Sequence, residues 1–294
     1  MRVVLFGGSG FIGRHVRAAL EADPAITEVV CTGRDRHDLI AGSAADLTEL
    51  LRAEAPQAVV SCVGALGGSD EDLVRANTLV AAKLLEASGP AAPRARLVRL
   101  GSAGEYGVVA HGHAVTEDDR LEPVGAYGVS HVAGTRLFTL AGESGRADAV
   151  SVRVFNPIGP GQPGENVLGR AAQRIREARG SGASVITLGP LGAYRDFVDV
   201  RDVASLLRAI VVAPRVRHRV YNAGSGRAVT VREAVGALVA RAAWKGAVRE
   251  AGAGPQRSAA VDWIQADISR AGAEFGWKPA HDLASSIAGI WDNA

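Results

Sequence analysis

Lysine is almost missing from this chain. Only Lys83, Lys245 and Lys278 occur among 294 residues, so the 33 basic side chains are nearly all arginine. Cysteine is scarcer still. Cys31 and Cys62 stand alone and neither sits in a C-x-x-C pair, which excludes a disulfide framework. Both lie in apolar runs (EVVCTG and AVVSCVG), where a reduced thiol behaves as a small hydrophobe, as in a reducing cytoplasm. No apolar stretch reaches the ~18 residues that would span a bilayer. The first strand-like run starts at Arg2, leaving no room for a signal or transit peptide, and the expected location is cytoplasmic. An excess of one charge is also missing. Against the 33 basic residues stand 31 acidic ones, the net charge is +2, and no block of five or six like charges appears. Nucleic acid and acidic membrane surfaces are therefore not expected partners.

What the chain has is core. It is 47% hydrophobic and long enough to bury a large interior without disulfides or metal. Its length predicts two domains, or one large α/β unit with an appendage. Short apolar runs at 2–6, 28–32, 58–62, 95–100 and 149–155 read as strands. Between them, 13–21, 45–54, 70–88 and 127–141 read as helices, the third closed by Gly89-Pro90. Val-rich strands alternating with helices predict a parallel sheet covered on both faces. Past Asn156 the texture changes to a Pro- and Gly-rich loop. Helices at 167–179 and 231–242, short strands at 185–188 and 220–222, a strand edge running into a helix over 197–212, and an irregular stretch before a last helix at 283–291 follow. The expected division is a first domain over 1–155 and a smaller mixed lobe over 156–294, with part of 197–222 returning to the first.

The first strand runs through Gly7-Gly8-Ser9-Gly10-Phe11-Ile12-Gly13 straight into a helix. Gly7 permits the tight turn, Gly10 lets backbone approach a pyrophosphate, and Gly13 allows close helix–strand packing. The helix N-terminus offers free N–H donors to the phosphates. This strand–turn–helix context reads as a dinucleotide site. The second strand ends Cys31-Thr32-Gly33-Arg34, with no acid to take a ribose 2′-hydroxyl. Arg34 suits a 2′-phosphate and favours NADP, with Arg14 a further candidate from the first helix. Asp35, one step on, keeps NAD open.

Further motifs follow in order. They are 61–65 (SCVGA), Asn77 in NTLVAAKLLEA, 99–107 (RLGSAGEYG), 126–134 (AYGVSHVAG), 153–161 (RVFNPIGPG), 195–204 (RDFVDVRDVA), 220–226 (VYNAGSG) and 276–283 (GWKPAHDL). Over essentially the whole chain they resemble the extended short-chain dehydrogenase/reductases: nucleotide-sugar epimerases, dehydratases and 4-ketoreductases. The resemblance implies a doubly wound Rossmann sheet. Ser102 takes the place of the active-site serine and Tyr127, 25 residues on, that of the catalytic tyrosine. Val63, Gly64 and Ala65 fall on the cofactor-facing loop after the family's fourth strand. Asn156, Asn166, Arg195 and Arg257 fall at substrate-holding positions. An Arg fork is a sensible diphosphate ligand, although Arg195 could equally pair with Asp196 or Asp199.

One position departs from the pattern. The family's lysine, four residues after the tyrosine, is His131. It shares a helix face with Tyr127 and can still bond a ribose hydroxyl, but it carries a fixed charge only below ~6.5. Hydride exchange between an alcohol and a nicotinamide needs a proton moved at the alcohol oxygen, and a phenol serves if its pKa falls from ~10. Without the lysine the phenol is a weaker base yet still a proton donor, which favours ketone reduction. Glu105 and Glu117 are alternative acid/base groups. His111 and His113 show no metal spacing and read as exposed loop residues. The preferred expectation is an NADP(H)-dependent reductase of a nucleotide-activated 4-keto-6-deoxysugar, a homodimer paired through the helices after Asn77 and Tyr127. An epimerase, an enzyme of a non-sugar metabolite, and a non-catalytic NADP-binding protein remain as alternatives.

Overall fold

In β1 (Arg2–Phe6) Val3 and Leu5 enter one apolar layer while Val4 and Phe6 enter another. A strand buried on both faces requires helices on both faces, and the sequence supplies them alternately. The computed structural model describes residues 1–252 and 260–292. After β1 come α1 (Phe11–Glu21), β2 (Glu28–Thr32), α2 (Ala44–Glu54), β3 (Ala58–Ser61), α3 (Asp70–Val74), α4 (Val80–Ala91), β4 (Arg96–Ser102), α5 (Ala126–Glu143) and β5 (Asp148–Val154). Then follow β6 (Asn156–Ile158), α6 (Val167–Ser181), β7 (Val185–Leu188), β8 (Tyr194–Asp199), α7 (Val200–Val212), β9 (Val220–Ala223), β10 (Ala228–Thr230), α8 (Val231–Arg241), β11 (Ala247–Glu250), α9 (Ser269–Phe275) and α10 (Leu283–Asp292).

Six parallel strands form the main sheet in the order β2-β1-β3-β4-β5-β9. Leu47 and Leu51 of α2, Leu84 of α4 and Phe138 of α5 cover one face. Val16 and Leu20 of α1 and Leu206 and Ile210 of α7 cover the other. The chain leaves β1 toward β2 on one side and then returns to β3 on the other. That reversal opens a crevice at the strand carboxyl ends, where α/β sheets bind ligands. This is the doubly wound sheet expected from the sequence. A second apolar core joins α6, α8 and α10 to the small sheet β10-β8-β6 and the pair β11-β7.

Two local expectations change. The helix expected over 70–88 is α3 and α4, joined by a π-helical turn over Arg75–Leu79. Nor does Gly89-Pro90 end it, because α4 runs to Ala91 and Ala92 N–H still closes on the Ser88 carbonyl at 2.8 Å. A proline in the last turn forfeits one bond and does not break the helix. Among the described residues no helix is long and apolar enough to cross a membrane.

Candidate active site

Register brings the loops to one edge. Phe6 lies beside Thr32 and Ser61, Ser102 beside Val154, and Val154 beside Ala223. Gly7, Gly33, Cys62 and Phe155 therefore leave the sheet together. Gly7 has φ +75°, and its carbonyl accepts from Gly10 N–H at 3.0 Å. A Cβ on Gly13 would stand 1.9 Å from that carbonyl oxygen, so only glycine lets α1 pack this closely. Gly10 begins α1 with no side-chain cap and no acid in the first turn. The helix-start amides are thus unanswered by side chains, Ser9 and Gly10 are exposed, and Phe11 and Ile12 are half-buried. This cradle fits an anionic pyrophosphate.

At the end of β2, Thr32 Oγ1 is buried without a hydrogen-bond partner among the described residues. Arg34, two residues on, is exposed, as is Asp35, whereas Arg36 pairs with Glu54 at 2.7 Å. Lys83 is a structural pin: its Nζ donates to the carbonyls of Ile40 and Gly42, both at 2.6 Å. Val63, Gly64 and Ala65 follow β3, the third strand of this chain. Asn77 clamps them from the π-helical turn, its Oδ1 accepting from Ala65 N–H at 2.9 Å and its Nδ2 donating to the Ala65 carbonyl at 3.1 Å. The same Nδ2 reaches Ser130 Oγ at 3.1 Å, tying this loop to α5.

Ser102, at the end of β4, accepts from Gly104 N–H at 3.1 Å through Oγ, which leaves its own hydrogen free to donate. A Cβ on Gly104 would lie 3.2 Å from Tyr127 Cε1 and 3.4 Å from Ser102 Oγ, so a bare glycine separates the serine from the phenol. Tyr127 and His131 project from successive turns of α5 with ring centroids 4.7 Å apart. Burial and the positive charge of Arg99 push His131 down to about 3, so its ring is neutral at pH 7. Glu105 is no free acid: it is buried, pairs with Arg153 at 2.8 Å, and accepts from Ser102 N–H and Thr135 Oγ1. Glu117, raised by burial, accepts from Asn222 N–H at 2.8 Å.

On the facing side, Asn156 in β6 donates to the Asp196 carbonyl at 3.1 Å, two residues past the partner of Ser102. Asn166 starts α6 without capping it through its side chain. Arg195 is buried in β8 and donates to its neighbour's carbonyl, that of Tyr194, at 2.8 Å, with Asp262 attracting it. Asp196 accepts from Ser225, Gly226 and Ala266 amides, and Asp199 pairs with Arg201 at 2.8 Å. Arg257 lies outside the described residues. His111 and His113 are exposed; His113 bonds Asp119, and His111 packs on Trp263 with ring centroids 4.4 Å apart. Among the described residues no group of three His, Cys, Asp or Glu could hold a metal.

Sequence reasoning missed Arg99, which is buried against His131, and Thr32. A charged residue inside the apolar run LVRL was the available signal for Arg99.

The model of the NAD dependent epimerase/dehydratase family matches residues 3–224. The chain belongs to that family. It is accordingly an enzyme of NAD(P)-dependent oxidoreductase or epimerase chemistry, as its motifs led one to expect. It is 35% identical to dTDP-6-deoxy-L-talose 4-dehydrogenase (NAD(P)(+)) of Kitasatospora kifunensis, over 99% of this chain and 94% of that protein. The solved structure of RMD from Pseudomonas aeruginosa complexed with NADPH is similar at TM-score 0.84 and 27% identity, covering 99% of this chain and 98% of that one. The UDP-glucose 4-epimerase of Thermus thermophilus in complex with NAD is similar at TM-score 0.85 and 26% identity, covering 100% and 98%.

Proposed function

We propose that the protein is an NADP(H)-dependent reductase of a nucleotide-activated 4-keto-6-deoxysugar. The observation that carries this reading is a tyrosine beside a neutral imidazole where the family has a cation. A phenol without an ammonium on its own helix face keeps its proton more readily than one beside a lysine, and ketone reduction starts from the protonated form. The relative named as a 6-deoxytalose 4-dehydrogenase supports the substrate class, its reaction run backwards being reduction of a 4-ketone. The exposed Arg34 and the relative in complex with NADPH support the cofactor.

When bound, the reduced nicotinamide supplies a hydride to the carbonyl carbon. Tyr127 gives the phenolic proton to the carbonyl oxygen, and the C=O becomes CH–OH. Ser102 donates its free hydrogen to the same oxygen and orients it. The turn Gly7, Ser9, Gly10, Phe11, Ile12 and Gly13 holds the pyrophosphate, with Val63, Gly64 and Ala65 forming the second wall. His131 holds the nicotinamide ribose. Asn156, Asn166, Arg195 and Arg257 hold the sugar nucleotide. Residues 1–155, with part of 197–222, form the cofactor domain and the rest of 156–294 the substrate lobe. Exposed Val129 and Leu140 on one face of α5, with Leu79 of the preceding π-helical turn, support pairing of two copies, which sedimentation reads directly.

The test is NADPH consumption with a panel of nucleotide 4-keto-6-deoxysugars. At least one substrate should turn over, and Tyr127→Phe should abolish turnover while NADPH still binds. If Tyr127→Phe keeps full activity, Tyr127 is not the acid. An exchange of the 4-hydroxyl configuration without net NADPH consumption would make the enzyme an epimerase instead.

A further inference from the structure

The polar layer under Tyr127 contains a charge that the motifs do not account for. Arg99 of β4 and Ser151 and Arg153 of β5 point to the same side of the sheet, toward α5. Arg153 is neutralised by Glu105 at 2.8 Å. Arg99 makes no ion pair among the described residues. Its guanidinium donates instead to neutral acceptors: Thr135 Oγ1 at 2.8 Å, Ser151 Oγ at 3.1 Å and the Asn77 carbonyl at 3.1 Å. A fourth N–H direction leads to His131 Nδ1, 3.5 Å from Nη2.

We propose that Arg99 is a positioning residue that fixes His131 as the tautomer with Nδ1 accepting and Nε2–H donating, and that it carries, from the strand, the positive charge the helix lacks. The proposal rests on the reading of Tyr127 as the acid and adds how this site works without a lysine. Its first step is stereochemical. A guanidinium has donors only, so the nitrogen facing it must offer a lone pair. A neutral imidazole then carries its one proton on Nε2, away from Arg99, on the ring that lies against Tyr127. A fixed donor thus stands where the family has an ammonium, ready for a ribose hydroxyl. The second step is electrostatic. Burial pushes Arg99 down to about 10, still cationic at neutral pH, and Tyr127 is among the groups whose charge holds it up. The interaction is mutual, so the same guanidinium favours the phenolate.

Among the described residues the charged and titratable groups facing His131 are Arg99 of β4 and Tyr127 of α5 itself. Glu105, of the turn after β4, is linked to Arg99 through Thr135, and Arg153 of β5 pairs with Glu105. Arg75 of the π-helical turn and Glu71 of α3 neutralise each other at the surface, 2.7 Å apart. Arg99 is the one whose charge acts directly on the imidazole.

Nitrogen-15 NMR of the wild-type protein reads the tautomer without any turnover. At pH 7 His131, assigned by its loss in His131→Gln, should show an unprotonated Nδ1 and a protonated Nε2, unchanged down to pH 5. A protonated Nδ1, or a ring that titrates near its ordinary value, overturns the proposal. Ultraviolet titration of the phenol, assigned by Tyr127→Phe, reads the charge. Arg99→Met should make Tyr127 about tenfold or more less acidic, and Arg99→Lys should restore most of that acidity. A folded Arg99→Met protein with an unchanged phenol overturns the charge role. If Arg99→Met does not fold, the wild-type tautomer and the Arg99→Lys titration decide. Failure of every keto-sugar to react would sink the reductase reading alone, since neither spectrum depends on catalysis.

Discussion

Arg34 and Arg99 show how one residue type takes opposite roles according to its surroundings. Arg34 is exposed just past the end of β2, where its charge also acts on Asp38. Arg99 is buried, and four of its hydrogen-bonding directions are filled by the fold. Removing Arg34 therefore leaves the fold alone and removes only the proposed charge-assisted contact to a 2′-phosphate, which would be worth ~1–3 kcal/mol. Arg34→Ala should weaken NADPH binding by about tenfold to a hundredfold and leave NADH binding nearly unchanged. Calorimetric titration of both cofactors against both proteins checks this; an equal loss for the two cofactors would take the 2′-phosphate away from Arg34. The place of Arg34 was legible in the sequence because it depends only on following a strand. Arg99 was not, because Asn77, His131, Thr135 and Ser151, which define it, are scattered along the chain and meet only in the fold.

Local elements follow the same division. The turn Gly7-x-x-Gly10-x-x-Gly13 was readable because strand, turn and helix are contiguous, and a Cβ on Gly13 would strike the Gly7 carbonyl oxygen. Strands β1 to β5 were readable as short apolar, Val-rich runs. The three-residue strands β6 and β10 were not, since they are too short to carry a period and form only against β8. The π-helical turn is the least legible element. Its five residues, Arg75–Leu79, read as ordinary helix, yet within this turn Asn77 aims its amide at both backbone groups of Ala65. Asn77 is buried, and truncation would leave the Ala65 amide and carbonyl unanswered in a half-buried loop. Asn77→Ala should cost ~1–3 kcal/mol of stability in a urea transition and weaken both NADPH and NADH. Asn77→Asp keeps the acceptor for Ala65 N–H but loses the donor to both the Ala65 carbonyl and Ser130 Oγ and buries a carboxylate, so it should destabilise at least as much. A wild-type urea midpoint in Asn77→Ala would show that the clamp contributes little.

At the scale of the whole molecule the buried polar layer links the site to acid stability. Histidines 15, 37 and 131 are all held below their ordinary value chiefly by burial. For such a group the unfolded chain binds the proton first, so stability is fully present above ~6.5 and declines as pH falls toward the folded value. Most of the shifted carboxylates, among them Asp23, Asp38 and Asp199, act lower down, losing stability below ~4. Glu117 and Asp196 are shifted upward and oppose the decline. A single denaturation curve sums all of these, but a difference between two proteins isolates one. His131 is pushed to about 3, and it stands 6% exposed, so solvent screens it little. Each pH unit below 6.5 should cost the wild type ~1.4 kcal/mol relative to His131→Gln, until the folded ring itself takes the proton. Between pH 6.5 and 4.5 the gap between the two urea stabilities should therefore move by ~2–3 kcal/mol against the wild type. Arg99→Lys, which keeps a buried cation beside the ring, should retain most of that slope. A gap that stays constant across this range would mean that His131 titrates alike in the folded and unfolded chain, and that Arg99 does not keep it neutral.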